Sequence, residues 1–208
     1  MTGKANETTK RTPVANRKFK DTVFRMLFSD KEALLSLYNA VNNSHYTDSC
    51  ALEIVTLENA IYMGMKNDLA FILDMNLYLY EHQSTMNPNI PLRDLFYIAA
   101  EYQKLVDKKS LYSSALQKIP NPHFIVFYNG STPIDDCYTS RLSDAFYHVT
   151  DNPSLELIVT TFNVNAGHNT KLMSHCQILK EYSIYVAKVR SLAEQMPLDD
   201  AVQKAVTE

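Results

Sequence analysis

Asp68-Leu-Ala-Phe-Ile-Leu-Asp-Met-Asn-Leu-Tyr-Leu-Tyr-Glu81-His-Gln83 is the stretch on which the reading of this chain turns. Residues 69–73 and 77–83 are rich in Phe, Ile, Leu and Tyr, the composition of strands, and Asp74-Met75-Asn76 between them supplies turn chemistry. The stretch is predicted to be a β-hairpin. If the loop holds an even number of residues, the expected pairing puts Asp68 opposite Gln83 and Ala70 opposite Glu81. Asp68, Glu81 and Gln83 then project from one face, because side chains alternate along a strand. An odd loop sends Asp68 to the other face. Two carboxylates and an amide gathered on one face suit metal-dependent cleavage of a phosphodiester.

Working outward, residues 52–63 alternate as an extended segment, and Gly64 and Asn67 allow a bend before the hairpin. Upstream, Phe19 to Val41 carries helical periodicity in two parts. Ser29-Asp-Lys-Glu32 fits a capping box for a helix over roughly 30–41, which Asn42-Asn43-Ser44 ends. Downstream, Pro88 and Pro91 start a helix across Leu92–Val106, with Leu92, Leu95, Phe96, Ala99, Tyr102 and Val106 on its apolar face. Phe124–Tyr128 and Leu155–Phe162 read as buried strands, and 131–154 as loop with a short helix at Arg141–His148. A long helix over 172–194 buries Leu172, Cys176, Leu179, Ser183, Val186 and Val189 until Pro197 breaks it. The order predicts an α/β fold, a mixed central sheet flanked by helices.

The 208 residues, 46% of them hydrophobic, suit one domain. Its expected divisions are a flexible basic tail over 1–16, a folded domain over 17–196, and the start of a short or truncated helical segment over 197–208. The net charge of −3 does not advertise a nucleic-acid binder, yet residues 1–20 hold Lys4, Lys10, Arg11, Arg17, Lys18 and Lys20 against Glu7 alone. Such an arm can touch phosphates, although a solvated tail is the simpler reading. Cys50, Cys137 and Cys176 form no paired framework, which fits a reducing cytosol. No apolar run approaches the roughly 18 residues of a membrane span, so no membrane partner is expected. His168, His175 and Cys176 show no paired spacing for zinc.

Asp at the start of the second strand and Glu-x-Gln in the third, within an αβββαβ order, resemble the PD-(D/E)XK nuclease superfamily. Within it the chain is similar to the Rpn family of recombination-promoting nucleases and transposase-like proteins of bacteria and archaea. Carrying the likeness are Asp21–Phe28, Leu57-Glu-Asn-Ala60, Asn67-Asp68, Tyr80-Glu-His-Gln-Ser84, Asn87-Pro-Asn-Ile-Pro-Leu-Arg93 and Val126-Phe-Tyr-Asn-Gly130. The superfamily's motif Lys is Gln83 here. The resemblance implies a restriction-endonuclease-like core and a DNA endonuclease of low sequence specificity linked to recombination or transposition. It implies a cytoplasmic, prokaryotic protein associated with the nucleoid when on DNA, with a homodimer left open.

Two carboxylates are the usual protein share of a Mg²⁺ site, with Mn²⁺ able to substitute. Asp68 and Glu81 fill that role, and the resemblance adds the backbone carbonyl of His82. Gln83 would orient the attacking water or a phosphate oxygen. Arg93 is expected either to grip a DNA phosphate or to brace its helix against Glu81. Lys66 shares parity with Asp68 and is a candidate to stand in for the motif Lys as a DNA contact, with a surface lysine as the simpler alternative. Asp21 is an accessory candidate for orienting a metal-bound water, or simply an acid favoured at a helix N-terminus. The rival function is a catalytically silent nuclease-fold protein that binds DNA or regulates a longer paralogue.

Overall fold

The computed structural model describes residues 19–55, 69–148 and 150–207. Asp68, Lys66 and the basic tail lie outside these residues. The chain opens with α1 (Phe19–Phe28) and α2 (Lys31–Asn42). Asp30, not Ser29, caps α2: its carboxylate accepts from Glu32 N at 3.1 Å and Ala33 N at 3.0 Å. The Ser29 hydroxyl is spent on the Arg25 carbonyl instead. Asn43 ends α2 in the left-handed region, φ 51°.

Six strands form one sheet: β1 (Glu53–Ile54), β2 (Leu69–Leu73), β3 (Asn76–Gln83), β4 (Asn121–Tyr128), β5 (Cys137–Arg141) and β6 (Ile158–Asn163). Their order is β1-β2-β3-β4-β6-β5. The first three run antiparallel, β3, β4 and β6 are mutually parallel, and β5 closes the far edge antiparallel to β6. The α/β expectation of a mixed sheet flanked by helices holds.

The hairpin register departs from the expected pairing. Ala70 lies opposite Leu79, not Glu81, and Leu73 opposite Asn76. The loop is the two residues Asp74 and Met75, both at positive φ (49° and 61°), the signature of the tight turn whose twist matches that of the strands it joins. Asn76 is a strand residue. The loop is still even, so the alternation of faces is kept.

Each face of the sheet has its own core. On one face Phe71, Tyr78, Tyr80, Ile125 and Phe127 pack against α1, α2 and α5 (Gln177–Ala193). On the other, Leu77, Leu79, Phe124, Val126 and Val159 pack against α3 (Ile90–Leu105). The α3 stripe is only in part the one expected: Leu95 and Tyr102 pack, partly buried, against this core. Leu92 and Phe96 are exposed, and the buried set is Ile90, Pro91, Asp94, Tyr97, Ile98 and Glu101. Two acids sit on the inner face, so apolar periodicity points to the wrong side.

Three other differences are local. The segment expected as loop contains β5, a short edge strand of mostly exposed residues, and a single 3₁₀ turn at Leu142–Ala145 replaces the expected helix. The strand expected over Leu155–Phe162 begins only at Ile158. The expected long helix is broken at Cys176 (φ −133°, ψ 94°) into α4 (Thr170–His175) and α5, although its buried stripe is as expected. After Pro197, α6 (Leu198–Thr207) packs on α5 through Ala201 and Ala205. No helix among the described residues is long and apolar enough to cross a membrane.

Candidate active site

Glu81 and Gln83 stand two residues apart near the carboxyl end of β3, on the α3 face. The Gln83 amide donates to Glu81 Oε1 at 2.7 Å, and Arg93, from the first turn of α3, donates to the same oxygen at 2.7 Å. Arg93 thus braces α3 against the strand, and it also donates to the Tyr97 hydroxyl at 3.2 Å. Glu81 is only 5% exposed, and among the described residues its second oxygen, Oε2, is buried with no hydrogen-bond partner. A buried carboxylate oxygen left without a donor is costly in a protein interior, and a cation is a partner that fits it. Burial pushes the Glu81 carboxyl up from its ordinary value, against the pull of Arg93 and the Gln83 amide.

A second carboxylate shares this face, one that sequence reasoning missed. Asp94 is 3% exposed, and burial, reinforced by the charge of Glu81, raises it well above the usual carboxylate range. The only signal for it was its place next to Arg93 in a helix whose inner face had been assigned elsewhere. A shallow pocket borders Gln83 on this face, lined by Ile90, Val126, Tyr128, Ser140 and Thr161. A larger cleft at α2, lined by Asn39, His45 and His175, shares no residue with it.

His82 points to the opposite face, as alternation along β3 requires. Its Nδ1 lies 2.8 Å from Asp21 Oδ1 and its Nε2 2.8 Å from the Tyr182 hydroxyl. With Nδ1–H donating to the carboxylate, Nε2 accepts from the tyrosine. Phe24 packs on the same ring, centroids 5.0 Å apart. Asp21 and Glu81 are therefore on different sides of the sheet. Asp21 holds the His82 ring, a role neither expectation for it named.

Asn129 and Gly130 follow β4, and Asn129 is fully buried. Its N–H donates to the Gln83 carbonyl at 2.8 Å, which ties the end of β4 to the end of β3. A Cβ on Gly130 would come within 2.1 Å of the Tyr128 hydroxyl and 2.5 Å of the Ser84 carbonyl, so only glycine fits there. His168 pairs with Asp136, His175 bonds the Lys171 carbonyl, and Cys176 is buried, so these three do not converge. Among the described residues no three His, Cys, Asp or Glu side chains gather as a metal-binding group. The chain matches no protein-family model and no curated protein.

Proposed function

We propose that the protein is a Mg²⁺-dependent endodeoxyribonuclease of the PD-(D/E)XK type, similar to the Rpn family, and that Mn²⁺ can replace Mg²⁺. The observation that carries this reading is the buried Oε2 of Glu81, without a partner among the described residues, set beside Gln83 and Arg93 on the strand where the resemblance puts the metal motif. Asp68, Glu81 and the His82 carbonyl would hold the metal. When bound, the metal supplies a polarised water and neutralises charge developing on the phosphoryl oxygens.

The chain's own residues have separate tasks. Gln83 donates an N–H to the water or to a phosphate oxygen. Arg93 holds Glu81 while no metal is bound, and its guanidinium, half-buried at the start of α3, is positioned for a backbone phosphate once Glu81 turns to the cation. Lys66 is a further candidate contact to DNA.

One observation favours the rival reading, a silent nuclease-fold protein that binds DNA or regulates a longer paralogue: Arg93 and Gln83 already satisfy Glu81 Oε1. Incubating supercoiled plasmid with the purified protein and Mg²⁺ separates the two. Nicking or cutting that disappears in both Asp68→Ala and Glu81→Ala, with the folded state intact, supports the nuclease. Intact plasmid with the wild type, or full activity in either variant, rejects it.

A further inference from the structure

Two cations converge on one backbone oxygen at the carboxyl-terminal edge of the parallel strands. Arg190 of α5 donates Nη2–H to the Asn129 carbonyl at 2.5 Å and to Asn129 Oδ1 at 2.8 Å, and Nη1–H to Asn165 Oδ1 at 2.6 Å. Lys20 of α1 donates to the same Asn129 carbonyl at 3.5 Å. Among the described residues no carboxylate forms an ion pair with either. The nearest acid in sequence, Asp21, has its Oδ1 engaged by His82.

A structural role accounts for only part of this. Arg190 clamps the loops after β4 and β6 onto α5, and three of the five N–H donors of a guanidinium do that work. Lys20 adds one long bond to an oxygen Arg190 already satisfies, and an uncharged side chain would pack there at lower cost. Instead a second positive charge is brought beside the first. Burial, then the charge of Arg190, drives the Lys20 amine down to about 8 against the smaller opposing pull of Asp21. Among the described residues further donors remain on both side chains, and Asp21 offsets the positive charge only in part, so the pair suits an anion. Open α/β sheets bind ligands at this edge, beyond the carboxyl ends of the strands.

We propose that Lys20 and Arg190 form a seat for a phosphoryl group. The seat deepens the nuclease reading, and rests on it for the carrier of that phosphate: a backbone phosphodiester of the bound nucleic acid. It lies across the sheet from Glu81 and is joined to it through the Asn129 N–H on the Gln83 carbonyl. A strand of nucleic acid anchored there would pass over the ends of β4 and β3 toward Gln83.

Binding measured in EDTA, without catalysis, tests the seat. Inorganic phosphate is titrated against chloride at matched ionic strength while Tm and the Lys20 ε-methylene resonance are followed in the full chain. A short DNA duplex is titrated in parallel. Expected are a higher Tm with phosphate, a Lys20 amine moved up from about 8 toward the ordinary 10.5, and duplex affinity roughly 10-fold weaker in Lys20→Met. Arg190→Lys, which keeps the charge but loses the fork, should weaken both ligands and serves where Arg190→Gln fails to fold. A response to phosphate with unchanged duplex affinity in Lys20→Met supports the seat and assigns it to free phosphate. No movement of Lys20 with either ligand overturns it. A protein that responds to phosphate but never cuts DNA keeps the seat and loses the nuclease reading; cleavage with a silent Lys20 does the reverse.

Discussion

Among the described residues Glu81 has one oxygen bonded by Gln83 and Arg93 and the other buried without a partner, and Asp94 lies on the same face with its carboxyl pushed well above the usual range by burial. A carboxyl whose pKa is raised on folding binds its proton more tightly in the folded state. Its contribution to stability is therefore fully present in acid and is lost as pH rises past about 4 toward the folded value. Asp94→Asn removes that loss. The variant should gain stability relative to the wild type steadily between pH 4 and pH 7, read from urea unfolding at each pH. A constant difference across that range would show that Asp94 is ionised without penalty. Gln83 is tested by rate. If its amide orients the attacking water, Gln83→Ala should keep metal binding and lose ~10²-fold or more in cleavage at saturating Mg²⁺. Gln83→Lys should retain appreciable activity, since an ammonium can donate to the same water or phosphate. Equal rates for the wild type and Gln83→Ala would make Gln83 purely a brace for Glu81.

The hairpin between β2 and β3 sets which residues can meet across it. Its turn places Met75, 79% exposed, at φ 61°, a conformation that costs a side-chain-bearing residue and suits glycine. Met75→Gly should stabilise the protein by about 1 kcal/mol, seen as a higher denaturant midpoint with an unchanged slope. A lower midpoint would mean that the chain entropy of glycine outweighs the relieved strain. The hairpin was legible in the sequence because strand composition and turn residues agreed there. Its register was not, because a two-residue loop and a four-residue loop preserve the same alternation and differ only in the backbone angles of Asp74 and Met75. On α5 the apolar stripe was readable because Leu179, Tyr182, Val186 and Val189 recur at helical spacing, with Ser183 the one small polar residue among them. Helix α3 was misread because two of its inward residues, Asp94 and Glu101, are acids; Glu101 is compensated in part by Lys104 at 2.7 Å. The edge strand β5 was invisible for the opposite reason, since Cys137-Tyr-Thr-Ser-Arg141 buries only Ser140.

Across the whole molecule, β3 is the strand on which both cores close: Tyr78, Tyr80 and His82 reach α1, α2 and α5, while Leu77, Leu79 and Glu81 reach α3. The site was legible as far as Glu81 and Gln83 because alternation along one strand fixes them together. Asn129, Arg190 and Lys20 were not, since they meet only through the parallel pairing of β3, β4 and β6. A ligand held by Glu81 therefore acts on global stability and not on a loop alone. If Mg²⁺ binds the folded chain, stability should rise with its concentration, by ~2.7 kcal/mol at 100 times the dissociation constant, and Ca²⁺ should act likewise without supporting cleavage. The effect should vanish in Glu81→Gln, which keeps a side chain of the same shape beside Arg93 but no negative charge for the ion. Thermal unfolding with increasing Mg²⁺, at constant ionic strength, reads this directly. A Tm that rises equally in Glu81→Gln would place the ion elsewhere. A wild-type Tm that does not respond at all would leave Glu81 as a structural partner of Arg93 and reject the metal site.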